Sequence, residues 1–151
     1  MKLAHLAAAP LARARANVIQ VVQMCAAFAK AGQDVTLVAD TRGTDACSLR
    51  DDFGVEIDFE LRHLPARRIR GYSLYLAPRA AQVAAATAPD IVYTRNLRAG
   101  ACVALLGQRI VYEAHALPRG RIDRAALRIM EASGRLLGIV SISSALNEAL
   151  D

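Results

Sequence analysis

Glu113 and His115, in the segment IVYEAHALP at residues 110–118, place a carboxylate and an imidazole two positions apart. In an extended strand the side chains at i and i+2 point to the same side, so these two groups should converge where the strand ends. A carboxylate beside an imidazole can orient the ring or raise its basicity, and either effect matters at a binding or catalytic site. A helix cap or a hydrogen-bonded structural pair would use the same residues, so the pattern leaves both interpretations open.

Three arginines are candidates for binding an anion or sugar hydroxyls. Arg13 and Arg15 precede Asn17, which is the predicted N-cap of a helix, and the free N–H groups and dipole of a helix N-terminus favour anions. Arg95 follows the apolar run DIVYT, where its fork of donors could grip a phosphate, a carboxylate or hydroxyl groups. A solvated basic loop and a local ion pair explain the same residues equally well.

Several familiar sites are not indicated by the sequence. No cluster of His, Cys, Asp or Glu has the spacing of metal ligands, and neither GxGxxG nor GxxxxGK[ST] follows the first strand. Cys25, Cys47 and Cys102 are widely spaced, which predicts buried thiols in a reducing compartment. His5 and His63 have no companion side chains, so we expect both to be structural.

The elements that must position these residues are clearest near the N-terminus. After the apolar run at residues 2–7, apolar residues from Asn17 onward recur at the i, i+3, i+4, i+7 spacing of an amphipathic helix, and Gly32 is the predicted stop. The β-branched segment DVTLVAD, Asp34 to Asp40, follows directly. Strand, helix and strand in this order predict a right-handed βαβ unit with parallel strands.

The same alternation continues to the end of the chain. The predicted helices are at 45–53, at 71–89 with an interruption near Pro78, at 99–106, at 121–133 and from 144; the predicted strands are at 55–65, 90–96, 109–115 and 136–143. The strand at 55–65 alternates apolar and polar residues, which is typical of an edge strand. The sequence therefore predicts an α/β fold, a Rossmann-like parallel sheet of about six strands with helices on both faces.

Length and composition limit the function classes. A chain of 151 residues fits one domain with a full core, and no apolar run approaches the length of a membrane-spanning helix, so we expect a soluble protein without a cleaved signal. The net charge of +5 could meet phosphates, anionic lipids or nucleic acid. The arginines are scattered with few aromatic residues among them, so we expect no nucleic-acid partner.

Four stretches in order resemble the N-terminal domain of GT-B fold glycosyltransferases of family 4. They lie at residues 16–40, 89–96, 109–118 with the Glu-x-His, and 134–150. The resemblance implies metal-independent, retaining transfer of a sugar from a nucleotide-sugar to an acceptor across a cleft between two Rossmann-like domains. It identifies residues 1–151 as the single acceptor-side domain, without the C-terminal domain that binds the donor, and implies that this chain alone is inactive. The nucleotide-sugar would be a co-substrate, and no cofactor is expected.

The resemblance also implies roles for the candidate residues. His115 would face the donor sugar as a hydrogen-bonding contact, with Glu113 supporting that strand end, and Arg95 would line the cleft wall. Asn17 and the loop at residues 8–16, which holds Arg13 and Arg15, would border the acceptor and the donor phosphates. The family's usual glycine-rich turn is replaced there by alanines and arginines.

Several expectations about partners and location follow. The basic segment at residues 67–76 could rest on an anionic membrane, as some family members do, or form a solvated loop and helix start. We expect a cytoplasmic protein that binds an acceptor and its own C-terminal domain, peripheral to the inner face of the membrane if that segment binds lipid. An unpaired sheet edge could pair with a second copy of the chain, so a homodimer is a further alternative. The alternative function is a stand-alone Rossmann-like module that binds a small phosphorylated ligand or a partner protein.

Overall fold

A computed structural model of the protein describes residues 1–11, 16–64 and 72–149. Strands and helices alternate through these residues, as the sequence predicts. The strands are β1 (Lys2–Pro10), β2 (Asp34–Asp40), β3 (Glu60–His63), β4 (Ile91–Thr94), β5 (Ile110–Ala114) and β6 (Leu136–Ser141). The helices are α1 (Ala16–Lys30), α2 (Ala46–Phe53), α3 (Tyr72–Ala85), α4 (Leu97–Leu105), α5 (Gly120–Ala132) and α6 (Ser144–Glu148).

The described strands form one six-stranded sheet in the order β3-β2-β1-β4-β5-β6, and every pair is parallel. This confirms the predicted Rossmann-like α/β fold. The order reverses direction between β1 and β4. In open α/β sheets ligands bind outside the carboxyl ends of the strands at such a switch point. The residues that follow β1, β4 and β5 therefore lie where this rule places a ligand.

Helices cover the two faces of the sheet because successive side chains of a strand point to opposite faces. In β1, Leu3 packs in a cluster with the buried face of α1 and with α2, whereas Ala4 packs in a second cluster with α3, α4 and α5. The strands of such a sheet are continuous apolar segments of sequence because both faces of the sheet are buried. Val35 to Ala39 of β2 follow this rule and are buried apart from a small exposed part of Thr36.

The first helix differs from its prediction at one end only. It begins at Ala16, so Asn17 lies inside the first turn and the prediction that it is the N-cap was wrong. The C-terminal end was predicted correctly. Gly32 has φ of 79°, a left-handed conformation that suits glycine, and its N–H donates to the carbonyl of Ala29 at 2.8 Å.

Two further elements correct the sequence-based boundaries. The β3 strand spans only Glu60–His63, since β2 pairs with it only over Thr36–Ala39; its place at the sheet edge is as predicted. The α3 helix runs through Pro78 without the predicted interruption. A proline inside a helix removes one backbone hydrogen bond, and here its ring is exposed while the apolar face of the helix stays buried. Burial of that face offsets the lost bond.

The two edges of the sheet differ in chemistry. At the β3 edge Glu60 and Arg62 form an ion pair at 2.8 Å, and charges of this kind discourage pairing with another strand. The β6 edge has no charged residue, and Leu137, Val140 and the following Ile142 are 44%, 47% and 56% exposed.

Among the helices of the described residues, none combines the length and hydropathy needed to cross a bilayer.

Candidate functional site

Glu113 and His115 converge at the carboxyl end of β5, as the i, i+2 geometry predicts. The Nε2 atom of His115 lies 2.6 Å from Oε1 of Glu113. Glu113 points toward α1 and is almost fully buried, whereas the His115 side chain is 29% exposed. The carboxylate is therefore a fixed part of the protein interior, and the imidazole is the member of the pair that a ligand could reach.

Arg95, which follows β4, contacts the other ring nitrogen of His115. Its Nη2 atom lies 3.0 Å from Nδ1 of His115. A guanidinium can only donate hydrogen bonds, so Nδ1 must accept this one and carry no proton. The neutral ring then has its proton on Nε2, which donates it to Glu113. The neighbours thus assign the tautomer of His115.

Gln20 on α1 joins the acidic and basic members of the site. Its Nε2 donates to Oε1 of Glu113 at 3.0 Å, and its Oε1 accepts from Nη1 of Arg95 at 3.3 Å. Gln20, Arg95, Glu113 and His115 therefore form a closed ring of hydrogen bonds, which we call the tetrad. Its members come from α1 and from the ends of β4 and β5, so the tertiary fold brings them together at the switch point.

A second pair of rings lies beneath the tetrad, on the α1 side of the sheet. His5 of β1 and Tyr93 of β4 have ring centroids 5.2 Å apart. Burial lowers the pKa of His5 to about 4; the positive charge of Arg95 contributes in the same direction, and Glu113 opposes both. Burial also raises the pKa of the Tyr93 phenol, and the charge of Glu113 raises it further. Both groups are therefore neutral at physiological pH.

Because His5 is buried, we expect the free energy of unfolding to fall in mild acid. Since its pKa drops from 6.5 to about 4 on folding, the unfolded chain takes up a proton in this interval before the folded chain does. The stability present above pH 6.5 is therefore lost progressively as the pH approaches 4. We expect His5→Leu to flatten this part of the profile, measured by urea unfolding across the interval.

The matched control for that substitution is His63→Leu. His63 is an exposed histidine whose Nδ1 lies 3.0 Å from the hydroxyl of Thr41, and this variant should keep the wild-type decline. An equally steep decline in His5→Leu and in the wild type would contradict the assignment.

A cleft of about 470 Å³ opens beside the tetrad at the carboxyl ends of β4 and β5. Asn96 forms part of its wall and caps α4 by accepting from the N–H of Ala99 at 3.0 Å. Arg98 of α4 pairs with Asp123 of α5 at 2.9 Å, which ties the two helices together at the cleft. The lining also mixes apolar and basic side chains: Arg95, Leu97, Tyr112, His115, Ala116, Leu117, Pro118 and Arg119.

The remaining predicted site residues are not part of the tetrad. Arg13 and Arg15 lie outside the described residues. Asn17 is exposed. It contacts the site through its backbone carbonyl, which accepts a hydrogen bond from Nη1 of Arg95 at 3.5 Å. The segment 8–10 belongs to β1 and not to a loop.

Gln20 is the member of the tetrad that the sequence did not indicate. Its one sequence signal is its position, one turn after Asn17 in the helix that follows the first strand.

The cysteines and the metal-ligating side chains add no second site. Within residues 1–11, 16–64 and 72–149, no group of three or more His, Cys, Asp or Glu side chains could hold a metal ion. Cys25, Cys47 and Cys102 are all free thiols; Cys25 is buried as predicted, but Cys47 is exposed, so the prediction was wrong for that residue. Burial raises the pKa of the Cys25 thiol, which keeps it protonated and unreactive.

Comparisons with known proteins agree with this architecture. The family model described as Glycosyltransferase Family 4 matches residues 18–150. A structure assigned as a UDP-N-acetylglucosamine 2-epimerase from Listeria monocytogenes has a TM-score of 0.65 and 15% identity over 99% of this chain and 40% of that one. MurG from Acinetobacter baumannii has a TM-score of 0.57 and 13% identity over 93% of this chain and 45% of that one. The chain thus spans less than half the length of either protein. No protein of curated function matches it.

Proposed function

Because the chain belongs to Glycosyltransferase Family 4, we propose that it is the acceptor-side domain of an enzyme that transfers a sugar from a nucleotide-sugar to an acceptor. The observation that carries the proposal is the position of His115 and Arg95. Both line the cleft at the carboxyl ends of β4 and β5, beside the switch point of the sheet. This is the edge at which Rossmann-like sheets bind ligands.

The chemistry of the cleft suits a polar, hydroxyl-rich ligand. Arg95 lines the cleft with guanidinium N–H donors that a ligand hydroxyl or phosphate could accept from, and its contact with Nδ1 of His115 at 3.0 Å fixes one end of that guanidinium. Leu117 and Pro118 add apolar surface to the same cleft, against which a sugar ring or an apolar part of the acceptor can pack. The binding of an acceptor next to the donor sugar would use both kinds of surface.

Catalysis in this proposal needs a second domain. The donor nucleotide would bind to a C-terminal Rossmann-like domain, and the reaction would be retaining and independent of metal. His115 would contact the donor sugar, with Glu113 fixing the imidazole. Half of a cleft neither excludes water nor aligns two substrates, and such positioning supplies much of the rate in transfer reactions.

The test compares two polypeptides with a panel of labelled nucleotide-sugars and a panel of glycan, lipid and small-molecule acceptors. One is the 151-residue chain, and the other joins it to the C-terminal domain. We expect sugar transfer by the two-domain protein and none by the 151-residue chain. Transfer by the chain alone would contradict the two-domain mechanism, and a two-domain protein that is folded but transfers no sugar would contradict the proposed activity.

The alternative is a binding module without catalysis. The observation in its favour is the basic lining of the cleft, where Arg95, Arg98 and Arg119 outnumber the acidic Asp123. Under this alternative the 151-residue chain binds a phosphorylated small molecule or a partner protein by itself. Calorimetry with inorganic pyrophosphate, combined with a negative transfer assay, would favour it.

The location and the further partners belong to the same proposal. Three free thiols are consistent with the reducing cytoplasm. Residues 67–71 of the basic segment proposed for contact with the membrane, which include its arginines, lie outside the described residues, so lipid binding rests on the sequence alone. The uncharged β6 edge supports pairing with a further strand, either from the second domain or from a second copy of the chain.

A further inference from the structure

Gln20 uses both ends of its amide within the tetrad. The amide NH₂ donates to the Glu113 carboxylate at 3.0 Å, and the amide oxygen accepts from Arg95 at 3.3 Å. A carboxylate in its place could not donate, and an ammonium could not accept. Among the polar side chains of this length, the amide is the one that can bridge an anion and a guanidinium with the correct polarity at both ends.

The two partners of Gln20 are also the two partners of His115. Glu113 takes the proton of His115 Nε2, and Arg95 donates to His115 Nδ1. If Arg95 turned away, Nδ1 would lose its donor and the ring would be free to exchange tautomers or to rotate. The contact with Gln20 limits that movement because it holds the second nitrogen of the guanidinium. In the tetrad, the direction of each hydrogen bond therefore depends on the neighbouring hydrogen bond.

We propose that Gln20 is a positioning residue that fixes His115 in the neutral tautomer protonated at Nε2. In this state Arg95 occupies the lone pair of Nδ1 and Glu113 accepts the proton of Nε2, so a ligand that reaches His115 meets a ring of fixed orientation. The inference rests on the proposed function only for the identity of that ligand as a sugar. The tautomer itself is a property of the 151-residue chain without any ligand.

Nuclear magnetic resonance of the chain labelled with ¹⁵N-histidine tests the proposal directly. The chain has three histidines, so the signals of His115 are identified by their loss in His115→Asn. At about pH 8, above the ordinary pKa range of imidazole, we expect a protonated Nε2 and an unprotonated Nδ1 for His115. The Nε2 proton should exchange slowly enough with water to be observed, since Glu113 accepts it at 2.6 Å.

Gln20→Met then separates positioning from packing. Methionine has nearly the same length and a good helix propensity but makes no comparable hydrogen bond. We expect exchange of the His115 Nε2 proton with water to become about tenfold faster, because the substitution removes the two hydrogen bonds by which Gln20 holds Glu113 and Arg95. Gln23→Met is the matched control on the exposed face of the same helix, and its exchange rate should stay within about twofold of the wild type.

Three results would overturn the inference. They are a proton on Nδ1 of the wild type, a wild-type Nε2 proton that exchanges too fast to be seen, and an exchange rate in Gln20→Met equal to that of Gln23→Met. Backbone amide spectra of each variant establish that the fold is kept. Since no transfer reaction is measured, the proposed function can fail while the tautomer assignment holds, and the reverse is equally distinguishable.

Discussion

Replacing His115 with alanine in the proposed two-domain enzyme is expected to lower kcat/KM for sugar transfer about 10- to 100-fold. The substitution removes Nδ1 from the cleft and leaves Nη2 of Arg95 without its acceptor. Hydrogen bonds that involve charged groups contribute about 1.5–3 kcal/mol, and each 1.4 kcal/mol is about a factor of ten. Initial rates at substrate concentrations well below KM measure the effect.

His63→Ala is the control for that experiment. His63 is exposed at the end of β3, at the far edge of the sheet from β5, and its contact is with Thr41. This variant should retain the wild-type kcat/KM. If His115→Ala keeps activity within about twofold of the wild type, the imidazole is structural and does not contact the sugar. Thermal unfolding of both variants shows whether a loss of activity reflects a loss of fold.

Leu37→Ala is expected to lower the free energy of unfolding by about 2–5 kcal/mol, a large part of the stability of a domain of this size. Leu37 lies in β2 and is fully buried in the layer beneath α1. Its strand is hydrogen-bonded on both sides, to β1 and to β3, so neighbouring side chains cannot collapse fully into the space left by the lost methyl groups. Urea unfolding followed by circular dichroism measures the change.

Leu105→Ala makes the same chemical change at the surface. Leu105 lies at the end of α4 and is 72% exposed, so this variant should stay within about 0.5 kcal/mol of the wild type. A similar loss in the two variants would mean that β2 does not lie in the core of the sheet. A loss below about 1 kcal/mol in Leu37→Ala would lead to the same conclusion.

Local periodicity was enough to predict most of the fold. The segment Asp34 to Asp40 was predicted as a strand with the bounds that the structure has, and Gly32 was predicted as the stop of α1. Both signals are local: a run of β-branched residues, and a glycine that tolerates positive φ. The convergence of Glu113 and His115 was predicted from their i, i+2 spacing, and it holds although β5 ends at Ala114 and His115 lies just beyond the strand.

The wrong boundaries share a cause. The apolar alternation from Val55 onward predicted a strand, but residues 55–59 pair with no strand, and the ladder with β2 begins only at Thr36 and Glu60. Pro78 predicted a break, but the packing of α3 on the sheet outweighs one missing hydrogen bond. In each case tertiary contacts outweighed a local preference.

Sequence alone predicted a Rossmann-like fold with an imidazole and a carboxylate at the carboxyl edge of its sheet. The partners of those two groups follow from the tertiary structure. Gln20 and Glu113 are 93 positions apart in the chain, and Arg95 and His115 are 20 apart. Such pairs meet only because α1 packs on β1 and β2 with Gln20 reaching the ends of β4 and β5, and because the parallel register brings two strand ends to one edge. Sequence periodicity shows which face of a helix or strand is buried but not which element packs against that face. The tautomer of His115 could therefore be assigned only from the folded chain.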